Sequence, residues 1–552
     1  MENGFALGEP RVIPCGPTTQ YSFFFDLINR HFKGNWGGNK PLHRICSLVR
    51  KMGVRTLVME DLQPVHEIQE ENAAIEAFFG QPADTQAKRL SFFRSAGKDW
   101  RLLPEEDFLG YIVLLKHRRP GRKTIAHVLE SVVRGPTVFL KHGGERAQAE
   151  VVSNYYLHCA REFTTTLGMP DCHRRLRLHG TFFCQQNGYT HVCAHAALRM
   201  AINSSPTLMP AQKLTNQMIN DLLGVNHRTV RVDRGLSSQQ IQDIVKKLGL
   251  RCQTADFTER PKVGYASFIY PIVESRLPVI LWIEAPGVQH VVAVLGHTVN
   301  SDRWDPEARQ GYGCLPMSQY ISSAAWADHF VISDDNYGMN VTLPAEMIRN
   351  FVVPQFNPNL HAAMAIGILP SRVRVDGYLA EQGSALMAFR VLENTKPRPE
   401  NKWLVYLKKM IRSALDAMDQ GRSPLRTIVC RTLLVGREHY IKHLREVTDS
   451  SGRAIAEHEA GLLRTSLPKT FWLTEVSLPD LYMANKHKIA DIVSTVNPSK
   501  AMIQAGQNTV FCWVPGLAII WIGRQPLDFP WSLTGHVPLL RHHDGPPPAL
   551  EW

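Results

Sequence analysis

Between residues 151 and 370 the apolar pattern changes period once, from helical to extended, and this change constrains the fold more than any other feature of the chain. Helical spacing covers Ala194 to Ile202, Ala211 to Leu223 and Ser238 to Leu248. Strand-length apolar runs follow at Pro278 to Glu284, His290 to Leu295 and Phe330 to Ser333. Helices grouped ahead of strands predict an α+β fold rather than an alternating parallel sheet. Ser237 and Ser238 supply N-cap chemistry for the last of these helices, and Gly249 a stop.

At 552 residues the chain exceeds one ordinary domain. Three segments are expected: an N-terminal α/β extension over 1–150, the informative unit over 151–370, and a C-terminal α+β domain over 371–552 that recognises substrate or a partner. In the first, Leu42 to Lys51 reads as a helix, and Val54 to Met59, Tyr111 to Leu115 and Thr137 to Leu140 as strands. In the last, Asn401 to Met418 is amphipathic, and apolar strand-like runs follow at Thr427 to Val435, Phe471 to Leu478 and Val510 to Ile522. Lys396 to Asn401 reads as an exposed linker.

Lys and Arg (62) outnumber Asp and Glu (50), for a net charge of +12, but the excess is thinly spread. Its densest runs, Lys116 to Lys123 and His173 to Arg177, read as solvated loops flanking strands. No nucleic-acid motif accompanies them, so a nucleic-acid partner is not expected. The most apolar stretch, Val510 to Ile522, contains Pro515-Gly516 and is too short to cross a bilayer; it reads as two buried strands joined by a turn. The N-terminus does not read as an export signal, and the ten dispersed cysteines form no Cys-x-x-Cys pair. Reduced thiols in a cytoplasmic protein, or in one delivered elsewhere as an effector, are therefore expected, with no metal or organic cofactor.

The chemistry concentrates in Phe183 to Ala201, FCQQNGYTHVCAHAALRMA. A polar loop leads into Cys193, and an Ala-rich helical run follows. A thiol at the first turn of a helix faces unpaired backbone N–H groups and the positive end of the dipole, and both favour the attacking thiolate. Gln186 lies upstream, placed to donate its amide to an oxyanion together with the Cys193 N–H. His290 opens a buried strand beside a second one, and the strand ending at Asp334-Asp335-Asn336 can supply the group that orients it. His191 and His195 flank Cys193 and are expected to be structural or rim residues. A zinc site drawn from Cys172, His173, Cys184, His191 and Cys193 matches no common ligand spacing.

The order of Gln186, the Cys193 helix, His290 between two strands and an acid-ended strand resembles the papain-like cysteine protease superfamily, most of all bacterial peptidase C39-like proteins. The resemblance covers about 200 of the 552 residues. It implies a papain-like core for 151–370, with the nucleophile's helix packed on an antiparallel sheet. It also implies a protein or peptide substrate cleaved through Cys193, His290 and an acid. The Gln–Cys spacing is slightly long, which leaves Gln185 as a competitor for Gln186. The acid stays open. The aromatic-Gly pair Tyr337-Gly338 selects Asp335, the strand end selects Asp334, and the Asp-Pro of Trp304-Asp305-Pro306 offers Asp305. Residues 300–326 read as an inserted loop. Other acyl chemistry at the same site, such as deamidation or transglutamination, and a non-catalytic peptide-binding module are the alternatives.

Overall fold

The computed structural model describes the chain apart from residues 1–3, 17, 34–35, 119–123, 136–140, 143–144, 147–154, 209–211, 226–234, 259–262, 300–311, 316–317, 346–360, 395–401, 421–427, 500–501, 503–507, 523–524 and 541–552. The runs Thr137 to Leu140 and Lys396 to Asn401, and Asp305, lie outside the described residues. The fold mixes helices with largely antiparallel sheets, an α+β arrangement.

Three large sheets carry the chain. The first runs, in spatial order, Arg11–Pro14, Thr56–Asp61, Asp84–Phe93, Phe108–Arg118, Ile125–Arg134, Cys172–Phe183 and Arg161–Met169. The middle sheet orders Leu250–Asp256, His361–Pro370, Val279–Ala285, Val288–Thr298, His329–Asp334 and Gly338–Pro344, every neighbour antiparallel. The third orders Tyr312–Leu315, Ser318–Ser322, Val429–Gly436, Thr470–Ser477, Ala490–Thr495, Thr509–Val514, Leu517–Ile522 and Gln525–Phe529. Sheets and sequence segments do not coincide: 161–183 completes the first sheet, and 312–322 enters the third.

That last strand pair corrects the expectation of an inserted loop for the described part of 300–326, residues 312–315 and 318–326. Ser318–Ser322 pairs in parallel with Val429–Gly436, and Ser323–Trp326 is a 3-10 turn with Trp326 buried. The basic runs are corrected too. His173 to Arg177 lies within a strand whose Arg175 and Arg177 are exposed while Leu176 is buried. Lys116 and His117 are buried in the strand Phe108–Arg118.

Local chemistry explains where the helices begin. Asn39 Oδ1 accepts the Leu42 N–H at 2.9 Å and opens Lys40–Lys51. Ser237 and Gln240 form a reciprocal capping box at the start of Ser238–Lys247. The helix expected from Ala211 starts later, at Asn216. Thr215 caps Met218, and the Leu214 backbone is drawn into hydrogen bonds with the Asn203 side chain. Between Thr509–Val514 and Leu517–Ile522, Gly516 takes a positive φ of 76° and closes the expected turn.

The first and middle sheets share one hydrophobic core, with Phe182, Leu198, Val292 and Ile366 in the same cluster. The third sheet packs separate clusters on its two faces, one around Tyr440 and Trp513, the other around Leu392 and Ile492. Trp472 leaves that sheet to join the first core, and its Nε1 donates to the Val375 carbonyl at 3.0 Å. Among the described residues no helix is long and apolar enough to cross a membrane.

Candidate active site

Cys193 is the first residue of the helix Cys193–Ser204, and no side chain caps that helix from Val192. The His195 N–H donates to the Val192 carbonyl at 2.9 Å, which leaves the N–H groups of Cys193 and Ala194 at the helix start for an outside acceptor. Every residue from Ala194 to Ser204 is buried, because the helix lies between the strands Val288–Thr298 and Cys172–Phe183. The alanines at 194, 196, 197 and 201 allow this close approach. Cys193 itself stays half-buried at the edge of the packed layer.

His290 sits near the start of the strand Val288–Thr298, opposite Ile283. Its Nε2 is 3.0 Å from Asp334 Oδ1 and 3.7 Å from Asp335 Oδ1. The Cys193 side chain lies on the same ring, close enough to favour its charged form. Burial alone would lower the pKa of this imidazole. The hydrogen bond to Asp334, the adjacent Cys193 side chain and the two carboxylate charges outweigh it and raise the pKa to about 10. The ring is therefore an imidazolium at neutral pH, with 16% of its side chain still open to solvent.

Asp334 ends the strand His329–Asp334 and is held by the turn it starts. Its Oδ1 accepts the N–H groups of Asn336 (2.8 Å) and Tyr337 (3.3 Å) as well as His290. Asp335 is fully buried behind it. No donor is aligned for a hydrogen bond to either of its oxygens, though the N–H groups of Asp335 and Gln186 lie close enough to favour its charge. Burial dominates and raises its pKa to about 7. The direct partner of His290 is thus Asp334, while Asp335 is the more distant of the two.

The two glutamines divide. Gln185 Oε1 accepts from Asn39 Nδ2 at 2.8 Å and from the Val128 N–H at 3.1 Å, so its amide is committed to the first sheet and the N-terminal helix. Gln186 is half-buried, with its backbone beside Asp335. Neither flanking histidine is a rim residue. His195 is buried, and its Nε2 is 3.0 Å from Asn220 Oδ1; His191 is buried beside Glu71.

The residues weighed as a zinc set are dispersed. Cys172 Sγ meets Arg101 Nε, His173 is exposed, and the Cys184 thiol donates to the Ala196 carbonyl.

Segment 1–150 frames the site, which its sequence did not signal. The Arg44 side chain donates to the backbone carbonyls of Met339 and Asn340, and Lys40 lies over the Tyr337 ring at 4.5 Å. Gly338 has a φ of 115°, and a Cβ there would come within 2.7 Å of Arg44 Cβ. The aromatic-Gly turn after Asp334 is therefore shaped to let the helix Lys40–Lys51 approach.

Compared with protein-family models and with curated proteins, the chain matches none.

Proposed function

We propose that this chain is a cysteine hydrolase of papain-like core that cleaves a peptide or isopeptide bond. One observation carries the reading: His290 stands beside both Asp334, whose Oδ1 is 3.0 Å from its Nε2, and Cys193, the first residue of a helix. A charged imidazole beside a cysteine favours the thiolate, the form that attacks, and can later protonate the leaving amine.

In this reading Cys193 Sγ attacks the carbonyl carbon of the substrate. The oxyanion takes N–H groups from the Cys193 backbone and the Gln186 side chain. His290 gives its proton to the departing amine, leaving a thioester on Cys193. Water then attacks that thioester; His290 takes a proton from it, and the carboxylic acid leaves as the thiolate returns. Asp334 keeps the ring in place throughout. The exposed ends of the third sheet and its helices, in 371–552, are assigned to recognising the protein substrate.

The test compares wild type with Cys193→Ala, profiling new protein termini by mass spectrometry in cells expressing each. Termini that depend on Cys193 support hydrolysis. Thioester formation whose acyl group passes to an added amine, without new termini, would replace hydrolysis by acyl transfer. Absence of any Cys193-dependent product, with Cys193 no more reactive than the other cysteines, would leave a peptide-binding module.

A further inference from the structure

Away from this site, Glu71, His117, His127 and His191 meet in the interior. Glu71 lies on the helix His66–Phe79, His117 and His127 on neighbouring strands of the first sheet, and His191 on the loop before Cys193. All four are at least 95% buried. We propose that Glu71, His127 and His191 bind a divalent transition-metal cation of the zinc class, with His117 beside them in the same chamber.

The first argument is oversubscription. Glu71 Oε1 is 3.0 Å from His127 Nε2, 3.3 Å from His117 Nε2, 3.4 Å from His191 Nε2 and 3.1 Å from Asn187 Nδ2. Four nitrogens thus converge on one oxygen, which has two lone pairs. Meanwhile Glu71 Oε2, both nitrogens of His127 and His191 Nε2 are buried without an aligned hydrogen-bond partner. Buried polar atoms left so cost stability, and a cation held by the Glu71 carboxylate satisfies the Nε2 atoms of His127 and His191 together.

The second argument is spacing. Tetrahedral zinc with bonds of 2.0–2.2 Å sets its ligand atoms about 3.4 Å apart. The approaches of His127 and His191 to Glu71, 3.0 and 3.4 Å, are near that edge length. The candidate ligand atoms of Glu71, His127 and His191 all lie within 4.8 Å of one another. His117 is fixed from behind, its Nδ1 2.9 Å from Thr85 Oγ1.

The third argument is charge. The similar group His158, Glu274 and His297 already has its cation, because Arg431 Nε donates to Glu274 Oε1 at 2.6 Å. Glu71 meets histidines and Asn187, and no Lys or Arg forms an ion pair with it among the described residues. A pocket lined by Glu70, Glu71, Thr190, His191 and Asn216 reaches the ligands, and Glu67 on its wall is already paired with Arg199 and Lys213. One contact opposes binding. Ligation through Nε2 places a proton on His191 Nδ1, which the Asn187 N–H approaches at 3.3 Å. That contact is long, and a turn of the ring releases it.

The experiment measures zinc by mass spectrometry in full-length protein after incubation with zinc and gel filtration, with cobalt(II) spectra as a second readout. Wild type is expected to retain one equivalent and to show the intense visible bands of a tetrahedral cobalt site. Glu71→Gln, which keeps the shape of the side chain, and His127→Gln are expected to weaken zinc binding at least about tenfold. Cys193→Ala is expected to retain the ion. Chelation should lower the melting temperature of wild type and leave that of Glu71→Gln unchanged. No retained zinc in folded wild type, equal retention in Glu71→Gln, or loss in Cys193→Ala alone would overturn the assignment. None of these outcomes depends on the hydrolase reading.

Discussion

Asn39 donates its side-chain amide to Gln185 Oε1 across 2.8 Å, and the same residue caps the helix Lys40–Lys51 through Leu42. An N-terminal residue therefore holds the glutamine next to the one assigned to the oxyanion. Gln185→Ala should lower the melting temperature with a modest loss of turnover. Gln186→Ala should leave the melting temperature in place and lower kcat by about 10²–10³. Iodoacetamide alkylation of Cys193 builds no oxyanion, so its rate should stay unchanged in Gln186→Ala. Equal loss of alkylation and turnover would remove Gln186 from the oxyanion role.

The cysteines should separate sharply by reactivity. Burial pushes the thiol of Cys15 up to about 11, and those of Cys46, Cys184 and Cys252 to about 12. At pH 7 these four are thiols, while Cys193 lies beside the charged ring of His290. Peptide mapping after brief iodoacetamide treatment should find Cys193 modified at least about 100-fold faster than those four. Uniform modification would contradict an activated Cys193.

His290 gives a pH dependence whose sign follows from its raised pKa. Burial opposes the shift, but Asp334, Cys193 and the paired carboxylates carry the folded-state pKa from 6.5 to about 10. The folded state thus holds this proton more tightly than the unfolded chain. The stabilisation is complete below pH 6.5 and is lost as pH rises through about 10. Melting curves of wild type and Asp334→Asn should differ most between about pH 5 and 6.5 and converge towards pH 10. Histidine-selective NMR should show the His290 ring charged at pH 8 in wild type.

Asp335 behaves oppositely to an ion-paired carboxylate. Burial raises its pKa from 3.8 to about 7, against the pull of His290. Below pH 3.8 folded and unfolded chains are both protonated here and nothing is lost. From there to pH 7 only the unfolded chain ionises, and the fold loses stability. Asp335→Asn should therefore raise the melting temperature more at pH 8 than at pH 4. A larger gain at pH 4 would refute this assignment.

Behind the site, Arg431 of the third sheet bonds both Glu274, on the helix Tyr265–Glu274, and Glu475. Lys488 completes the group with Glu475 and Asp491 at 2.7 and 3.0 Å. Arg431→Met leaves two buried carboxylates short of a cation and should cost roughly 3–5 kcal/mol in chemical denaturation. Adding Glu274→Gln should restore part of that loss.

The periodic elements were legible along the chain because their causes are local. The helix Cys193–Ser204 follows from its alanines, and Ser238–Lys247 from its capping box. The strand pair across Pro515-Gly516 follows from its apolar runs and turn residues. The order Gln186, Cys193, His290 and Asp334-Asp335 can be read along the chain because Cys193 opens its helix, His290 lies near the start of its strand and the acids close theirs, while Gln186 lies in the loop before the helix. Tertiary structure alone decided between neighbours. Asp334 and Asp335 are adjacent in sequence, yet the alternation of a strand and its turn aims one at His290 and buries the other. Gln185 and Gln186 divide likewise, because Asn39, 146 residues away, claims only the first. Glu71 and His127 give no signal in the sequence, and His191 enters there only a zinc set with other partners, since the grouping is set by which strands and helices pack together and no sequence period records it.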